Sequence, residues 1–132
     1  MIKRIHHIAI VVRNLDEALE TYDNLFQLKP SYIESVPEQG VRAAMLPIGD
    51  AGIELIESLD PSNAVAKFLE QRGEGIYHFS LEVDDVDEEL RSLAAKGVEL
   101  VDRKGRPGLR RKIGFLHPRS TKGVLLELAQ NV

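Results

Sequence analysis

Apolar and polar residues alternate along eight short segments of the chain, a pattern typical of half-buried β-strands. The predicted strands are residues 4–12, 32–36, 41–47, 52–57, 76–83, 98–102, 112–116 and 123–129. Apolar residues three or four positions apart follow the first and fifth strands and predict two amphipathic helices. Their apolar stripes are Leu15, Ala18, Leu19, Tyr22 and Phe26 in the first helix, and Val86, Leu90, Leu93 and Ala94 in the second.

A shorter connecting helix is predicted over residues 62–72, so the element order is βαβββ, helix, βαβββ. The helix of each βαβββ unit covers only one face of its sheet. Two such units can turn their open faces toward each other and enclose a cleft. We therefore predict one α+β domain over residues 1–132, with modules at about 1–60 and 74–132 and a cupped, mixed eight-stranded sheet around a metal cleft.

The two predicted modules also resemble each other in sequence. The segment around His7 is matched by the segment around His78, and an offset of 71 residues superposes the two histidines. The acidic residues that follow each strand are repeated at the same offset. A duplication that repeats a histidine at one place on a strand predicts two symmetry-related ligands facing one site.

Alternation along a strand decides which side chains share a face. His7 and His78 are predicted to face the cleft, whereas His6 and Tyr77 are predicted to pack toward the helices. His117 precedes a proline and is predicted to be a turn residue.

Each module also has one glutamate between apolar neighbours on its last strand, Glu54 in the first and Glu127 in the second. If those neighbours pack under the helices, both carboxylates face the cleft with His7 and His78. A lone histidine on a strand is more often structural than a ligand. The paired occurrence at equivalent positions favours one divalent metal ion, held by nitrogen and oxygen atoms with open positions for water or substrate.

The bulk composition narrows the function further. The chain has 132 residues, of which 43% are hydrophobic and 29% charged, and it contains no cysteine. Sulfur ligands and thiolate nucleophiles are therefore excluded. A formal charge of −4 argues against a nucleic-acid-binding protein. No apolar run is long enough to cross a membrane and no signal-peptide pattern begins the chain, so a cytoplasmic location is expected.

One segment departs from this acidic balance. Six of the ten residues in 103–112 are basic. Most charge runs are solvated loops, but this one could also hold a phosphorylated or acidic substrate through Arg110, Arg111 and Lys112.

Several motifs together resemble the vicinal oxygen chelate (glyoxalase/bleomycin resistance/dioxygenase) superfamily and, within it, the methylmalonyl-CoA epimerases. The resemblance covers nearly the whole chain, and the Glu-Gln-Gly turn and the carboxy-terminal segment are its most specific parts. The matching segments are residues 5–9, 37–41, 53–55, 66–69, 115–118 and 123–128.

The resemblance implies an acyl-CoA substrate, whose C2 epimers are interconverted through proton removal and an enolate. It implies that His7, Glu54, His78 and Glu127 hold one divalent ion per chain, with Co²⁺ ahead of Zn²⁺, Mn²⁺ or Ni²⁺. It also implies a homodimer, with Glu127 as the base. Some epimerases have a second glutamate where this chain has Ala43, so a water or Glu54 is left as the opposite acid/base.

Two other functions within the superfamily stay open at the level of sequence. Glyoxalase I, a lactoylglutathione lyase, uses the same kind of metal site to move a proton on a hemithioacetal. A drug-sequestering resistance protein binds a small molecule without turnover, although such binders generally lack the ligand set. Ring-cleaving dioxygenases are normally longer and have three protein ligands.

Overall fold

The computed structural model describes residues 1–131, which contain eight β-strands and three α-helices. In chain order these are β1 (Ile2–Val11), α1 (Leu15–Phe26), β2 (Tyr32–Val36), β3 (Val41–Ile48), β4 (Ala51–Ser58), α2 (Ala64–Arg72), β5 (Gly75–Val83), α3 (Val86–Ala95), β6 (Arg106–Pro107), β7 (Arg111–Leu116) and β8 (Leu126–Asn131). The strands belong to an eight-stranded mixed sheet. The predicted α+β class and the repeated βαβββ order are confirmed.

The chain divides into two compact units, and the boundaries between them fall within strands β1 and β5. One unit is Ile8–Tyr77, and the other combines Met1–His7 with the chain from His78 onward. We refer to them as the first-half unit and the second-half unit. Strands β1 and β5 therefore each contribute residues to both units. This division differs from the predicted modules because the amino-terminal half of β1 belongs with the second-half unit.

The first-half unit is built from α1 packed on one face of β3 and β4. Asn14 caps the helix, because its side-chain oxygen accepts a hydrogen bond from Glu17 N at 2.9 Å. The stripe predicted for this helix packs in the core as far as Tyr22, but Phe26 is exposed because the helix ends there. The buried residues at the centre of this core are Val12, Leu15, Ala44, Leu46 and Leu55.

The second-half unit repeats this arrangement, with α3 packed on one face of β5, β7 and β8. Its buried core residues are Val83, Val86, Leu90, Leu116 and Leu128. Gly114 permits the close approach of the helix, because a Cβ atom there would lie only 2.8 Å from Leu90 Cδ1. Ala94, predicted within the apolar stripe, is exposed near the end of the helix. Each unit thus covers one face of its sheet with its helix, and side chains that alternate with the core residues lie on the opposite face.

The predicted strand over residues 98–102 is wrong. Leu100 makes an isolated bridge with Leu116, and the short strand β6 forms later in the chain. The Asp102 side chain explains this, because Asp102 Oδ2 accepts the hydrogen bond of Phe115 N at 2.8 Å. A side-chain acceptor there replaces the main-chain carbonyl that a longer strand would have supplied.

None of the helices in the described part of the chain is long and apolar enough to cross a membrane.

Candidate metal centre

The second-half unit presents a row of buried polar side chains on the sheet face opposite α3. Leu81 and Val83 of β5 contact the helix, so His78 and Ser80 point to the other side. Strand β8 pairs with β5 so that Glu127 lies beside Ser80. The apolar neighbours of this glutamate pack under the helix, as the sequence pattern indicated, and the carboxylate itself is buried.

His7, at the unit boundary of β1, completes a close group of donor atoms in the second-half unit. The Nε2 atoms of His7 and His78 are 3.1 Å apart. Glu127 Oε1 lies 3.5 Å from His7 Nε2, and Glu127 Oε2 lies 3.7 Å from His78 Nε2. Their relative exposures are 0%, 3% and 3%, so bulk water is nearly excluded from all three side chains.

Both imidazoles are neutral in this environment. Burial is the main cause, and with the nearby Arg111 guanidinium it lowers the pKa of His78 to about 3. Burial, Arg111 and the adjoining His78 together hold the pKa of His7 well below its usual value. A neutral imidazole keeps a nitrogen lone pair, which is the form that binds a metal ion.

A chain of hydrogen bonds decides which nitrogen of His7 keeps that lone pair. Asn131 Nδ2 donates to Glu82 Oε1 at 3.0 Å, so its amide oxygen turns toward His6 Nε2, 3.1 Å away. His6 therefore donates from Nε2 and accepts at Nδ1 from His7 Nδ1, at 2.8 Å. This tautomer leaves the lone pair on His7 Nε2, the atom that faces His78 and Glu127.

The sequence predicts only packing toward the helices for His6, whereas in the structure its two ring nitrogens contact His7 and Asn131. Burial, followed by the charge of Arg111, lowers the pKa of His6, which keeps the ring neutral and able to accept from His7. The sequence does not mark His6 for this role. Two adjacent histidines on a strand normally point to opposite faces, so a hydrogen bond between them is not expected from the pattern. Asn131 and Glu82 have no sequence pattern that marks them.

The donor atoms fit a divalent metal ion. Two ligand atoms at right angles around an ion, each about 2.1 Å from it, lie about 3 Å apart. The observed separation of 3.1 Å between the histidine nitrogens matches that spacing, and the carboxylate oxygens at 3.5 and 3.7 Å are within a small side-chain adjustment of it. Two neutral imidazoles and one buried carboxylate supply the nitrogen and oxygen ligands that such ions prefer.

Glu54, the remaining predicted ligand, lies on β4 of the first-half unit. It is 4% exposed and pairs with Ala9 of β1. Glu127 pairs in the same way with Ser80, and Ala9 and Ser80 are equivalent in the sequence repeat. Each glutamate thus lies beside the residue two positions after the histidine of its repeat.

The three predicted substrate-binding cations lie in different surroundings. Arg110 is exposed in a left-handed backbone conformation, with φ of 59°. Arg111 is 5% exposed and belongs to the buried face with His7 and Glu127. Lys112 points to the opposite side and forms an ion pair with Asp87 of α3. Only part of the basic segment is therefore available to an incoming ligand at the surface.

His117 and Tyr77 are two aromatic residues that lie outside the donor group. His117 lies in a turn, as predicted, and its Nδ1 accepts from Arg119 N at 3.0 Å at the start of a short 3₁₀-helix. Tyr77 packs edge-to-face against Phe68 of the connecting helix, with ring centroids 5.2 Å apart.

The chain is similar to known proteins over nearly its whole length. Residues 6–115 match the family model of the glyoxalase/bleomycin resistance protein/dioxygenase superfamily. The chain is 33% identical to the mitochondrial methylmalonyl-CoA epimerase of Dictyostelium discoideum, over 98% of this chain and 79% of that protein. The chain belongs to the methylmalonyl-CoA epimerase family of this superfamily. It is also 38% identical to the Bacillus subtilis protein YqjC, over 96% of this chain and 91% of that one.

Solved epimerase structures are close to this fold as well. A variant of the Streptomyces coelicolor methylmalonyl-CoA epimerase, in complex with 2-nitronate-propionyl-CoA, has a TM-score of 0.97. It is 34% identical in sequence, and the match covers 100% of this chain and 96% of that one. The epimerase family assignment thus rests on the whole chain. His7 and His78 lie within residues 6–115, which the family model matches, and Glu127 lies after them.

Proposed function

We propose that this member of the epimerase family is a metal-dependent methylmalonyl-CoA epimerase, which interconverts the two C2 epimers of its substrate. The observation that carries the proposal is the buried group of His7, His78 and Glu127 in a chain similar to epimerases along its whole length. The reaction needs a stabilised carbanion next to a thioester, and this donor group can hold the ion that provides it.

The proposed ion is a single Co²⁺ held by His7, Glu54, His78 and Glu127, and the same donors accept Zn²⁺, Mn²⁺ or Ni²⁺. When bound, the ion supplies positive charge that stabilises the enolate of the thioester. Glu54 is included because it is buried and occupies the position in its half that Glu127 occupies in the other.

Within this proposal, Glu127 removes the proton from C2 of the acyl group. A carboxylate is a suitable base here because water is nearly excluded from it and it lies among neutral imidazoles. Its two oxygens face different histidines, at 3.5 and 3.7 Å, so one can stay with a ligand group while the other accepts the proton.

Inversion also requires a proton on the opposite side of C2, and we assign that role to Glu54. Ala43 has no group that can carry a proton, although it is buried on the same face of the first-half unit. In the antiparallel pair of β3 and β4, Ala43 lies opposite Ile56 and Met45 lies opposite Glu54. Ala43 and Glu54 are therefore diagonal neighbours on one sheet face. A carboxylate at either position would therefore reach a similar point above that face.

The epimerase assignment is tested by incubating one epimer of methylmalonyl-CoA with the Co²⁺-reconstituted protein in heavy water. We expect both epimers to form and deuterium to appear at C2, and removal of the ion should stop both. Mass spectrometry measures the deuterium, and chiral analysis of the released acid measures the epimers. Turnover of methylglyoxal with a thiol, without any reaction of the acyl-CoA, would instead indicate glyoxalase I.

We further propose that exposed cations of the basic segment attract the phosphates of coenzyme A. Arg103, Lys104 and Arg110 are exposed, whereas Arg106 and Lys112 are half-buried and Arg111 is buried. Charge attraction at an exposed surface is screened as salt rises, so it should be strongest at low ionic strength.

Replacing Arg103 and Lys104 by Gln and Arg110 by Asn should raise the KM for methylmalonyl-CoA about three- to tenfold at low salt. Asn is chosen at position 110 because it tolerates the left-handed conformation observed there. The effect should shrink at high salt, and kcat should change little. Neutralising Lys67, Arg91 and Lys96, three exposed cations elsewhere, is the matched control. Equal KM changes in both triple variants would show that the segment is only a solvated loop.

The homodimer and the cytoplasmic location predicted from the sequence remain predictions. Light scattering coupled to gel filtration measures the mass of the assembly and checks the first of them.

A further inference from the structure

Ser80 is a fully buried serine on the sheet face that carries the candidate metal centre. It follows His78 by two residues on β5, so the two side chains point to the same side of the strand. In the parallel pair of β5 and β8, Ser80 lies beside Glu127. Its relative exposure is 0%. The hydroxyl is therefore enclosed next to the carboxylate that we propose as both ligand and base.

The hydroxyl of Ser80 has no hydrogen-bond partner within residues 1–131. A serine hydroxyl can donate one hydrogen bond and accept two, and burial removes the water that would otherwise bond to it. A buried polar group that makes no hydrogen bond destabilises the folded protein. This hydroxyl therefore weakens the metal-free fold and points to a partner in the working state.

The sequence repeat offers an internal comparison for this position. Ala9 corresponds to Ser80 at the offset of 71 residues. It is also fully buried and lies beside Glu54, the buried glutamate of the first-half unit. A methyl group thus fills the same place next to a glutamate there. Packing of the sheet does not require an oxygen atom at this position, so the hydroxyl of Ser80 needs a chemical explanation.

The carboxylate of Glu127 is a group whose orientation a hydroxyl can fix. Rotation about the last torsion of a glutamate side chain is broad, so the side chain alone does not set the direction of its oxygens. His7 Nε2 carries a lone pair in the tautomer described above and cannot donate to the carboxylate. Arg111 Nε, 3.9 Å from Oε1, adds charge attraction at more than hydrogen-bond length. A hydroxyl that donates to a carboxylate forms a short, strong bond.

We propose that the hydroxyl of Ser80 donates a hydrogen bond to the carboxylate of Glu127 when a divalent ion is bound, and that Ser80 is a positioning residue for this base. The inference rests on the proposed function and deepens it. The bond fixes the rotation of the carboxylate, so that one oxygen stays with the ligand atoms while the other accepts the C2 proton. Glu54 lies beside the methyl group of Ala9 instead, so the two carboxylates are held differently.

The first test uses Ser80→Ala, which removes the hydroxyl and little else. Calorimetric titration of the metal-free protein with Co²⁺ should show binding weakened about ten- to hundredfold, the usual effect of losing a partner that orients a ligand. Without Co²⁺, the midpoint of urea unfolding should equal or exceed that of the wild type, because a buried hydroxyl without a partner is gone. With Co²⁺ at saturation, kcat should fall more than KM changes, because the base is affected and substrate binding is not.

A rescue variant and a control separate positioning from a structural role. Ser80→Thr keeps the hydroxyl in a residue type that strands accommodate, and should keep Co²⁺ affinity near the wild-type value. Ser58→Ala makes the same change as Ser80→Ala at a half-buried serine, whose Oγ lies 2.6 Å from the Asp60 carbonyl oxygen and 2.8 Å from Asn63 Oδ1. This control should lower the urea midpoint of the metal-free protein and leave Co²⁺ affinity unchanged.

The possible failures are distinguishable. Unchanged Co²⁺ affinity and kcat in Ser80→Ala, with an active wild-type protein, would overturn the role of Ser80 alone. A lower urea midpoint of the metal-free variant together with those unchanged values would also overturn it and would make the serine structural. Failure of the wild-type protein to epimerise methylmalonyl-CoA would count against the proposed function. The Co²⁺ affinities of the Ser80 variants would then still show whether the hydroxyl supports the metal centre.

Discussion

Replacing Glu127 by Gln should lower the rate of epimerisation about 100- to 10,000-fold, the usual contribution of a positioned acid or base. The amide keeps an oxygen that can act as a ligand but cannot accept the C2 proton. Affinity for Co²⁺ should therefore fall much less than kcat does. Deuterium incorporation at C2 in heavy water measures proton removal directly, and metal titration of the same variant measures the ligand role. Full activity of Glu127→Gln would remove this residue from the proposed chemistry.

Glu54→Gln is the matched variant, because it changes the other buried carboxylate in the same way. We expect a large loss of epimerisation here as well, since Ala43 provides no alternative proton carrier on that sheet face. Adding Ala43→Glu to Glu54→Gln should restore part of the activity, because the two positions are diagonal neighbours on adjacent strands. If Glu54→Gln alone is fully active, a water is the better assignment for the opposite acid/base.

Removing either histidine should abolish tight metal binding. His7→Ala and His78→Ala each remove one of two nitrogens that lie 3.1 Å apart, and the remaining donors do not surround an ion as closely. We expect affinity for Co²⁺ to fall more than about 100-fold, beyond the usual cost of losing an outer hydrogen-bond partner of a ligand. Epimerase activity should fall with the metal content. Elemental analysis after reconstitution and competition with a chelator provide the two measurements.

His117→Ala is the control for these two variants. It makes the same chemical change at a turn residue, outside the buried donor group, and should leave metal content and activity intact. Thermal unfolding of the metal-free variants shows whether a loss reflects unfolding, because His7 and His78 are buried. Normal Co²⁺ affinity in both His7→Ala and His78→Ala would place the metal site elsewhere in the chain.

Local alternation was enough to find the main candidate residues. Glu127 stands between Leu126 and Leu128, which pack under α3, and His78 alternates along its strand with Leu81 and Val83, which do the same. The two-residue period of a strand therefore predicts that both side chains lie on the opposite face. The internal repeat then selected His7 and Glu54 as their partners. Alternation and repetition are properties of short segments, so both can be recognised in the sequence before the pairing of the strands is known.

In the basic segment, local sequence patterns do not predict which side chain faces which way. Arg110, Arg111 and Lys112 are adjacent and chemically alike, yet one is exposed, one is buried at the donor group and one pairs with Asp87. The start of β7 and its register against β8 decide this, because they set which side chain of the three faces which way. Register depends on hydrogen bonds to a distant strand, so composition alone could only mark the segment as basic.

The sequence by itself determined the α+β class, the repeated βαβββ order and the four candidate ligands, because each follows from periodicity within a segment or from the duplication. The tertiary structure decided what distinguishes this site from a generic one. It set the tautomer of His7 through His6 and Asn131, and it brought Arg111 within 3.5 Å of His7. It also replaced the predicted strand at 98–102 with a loop held by Asp102. These contacts join residues far apart in the chain, and their geometry depends on strand register and burial, which no local pattern encodes.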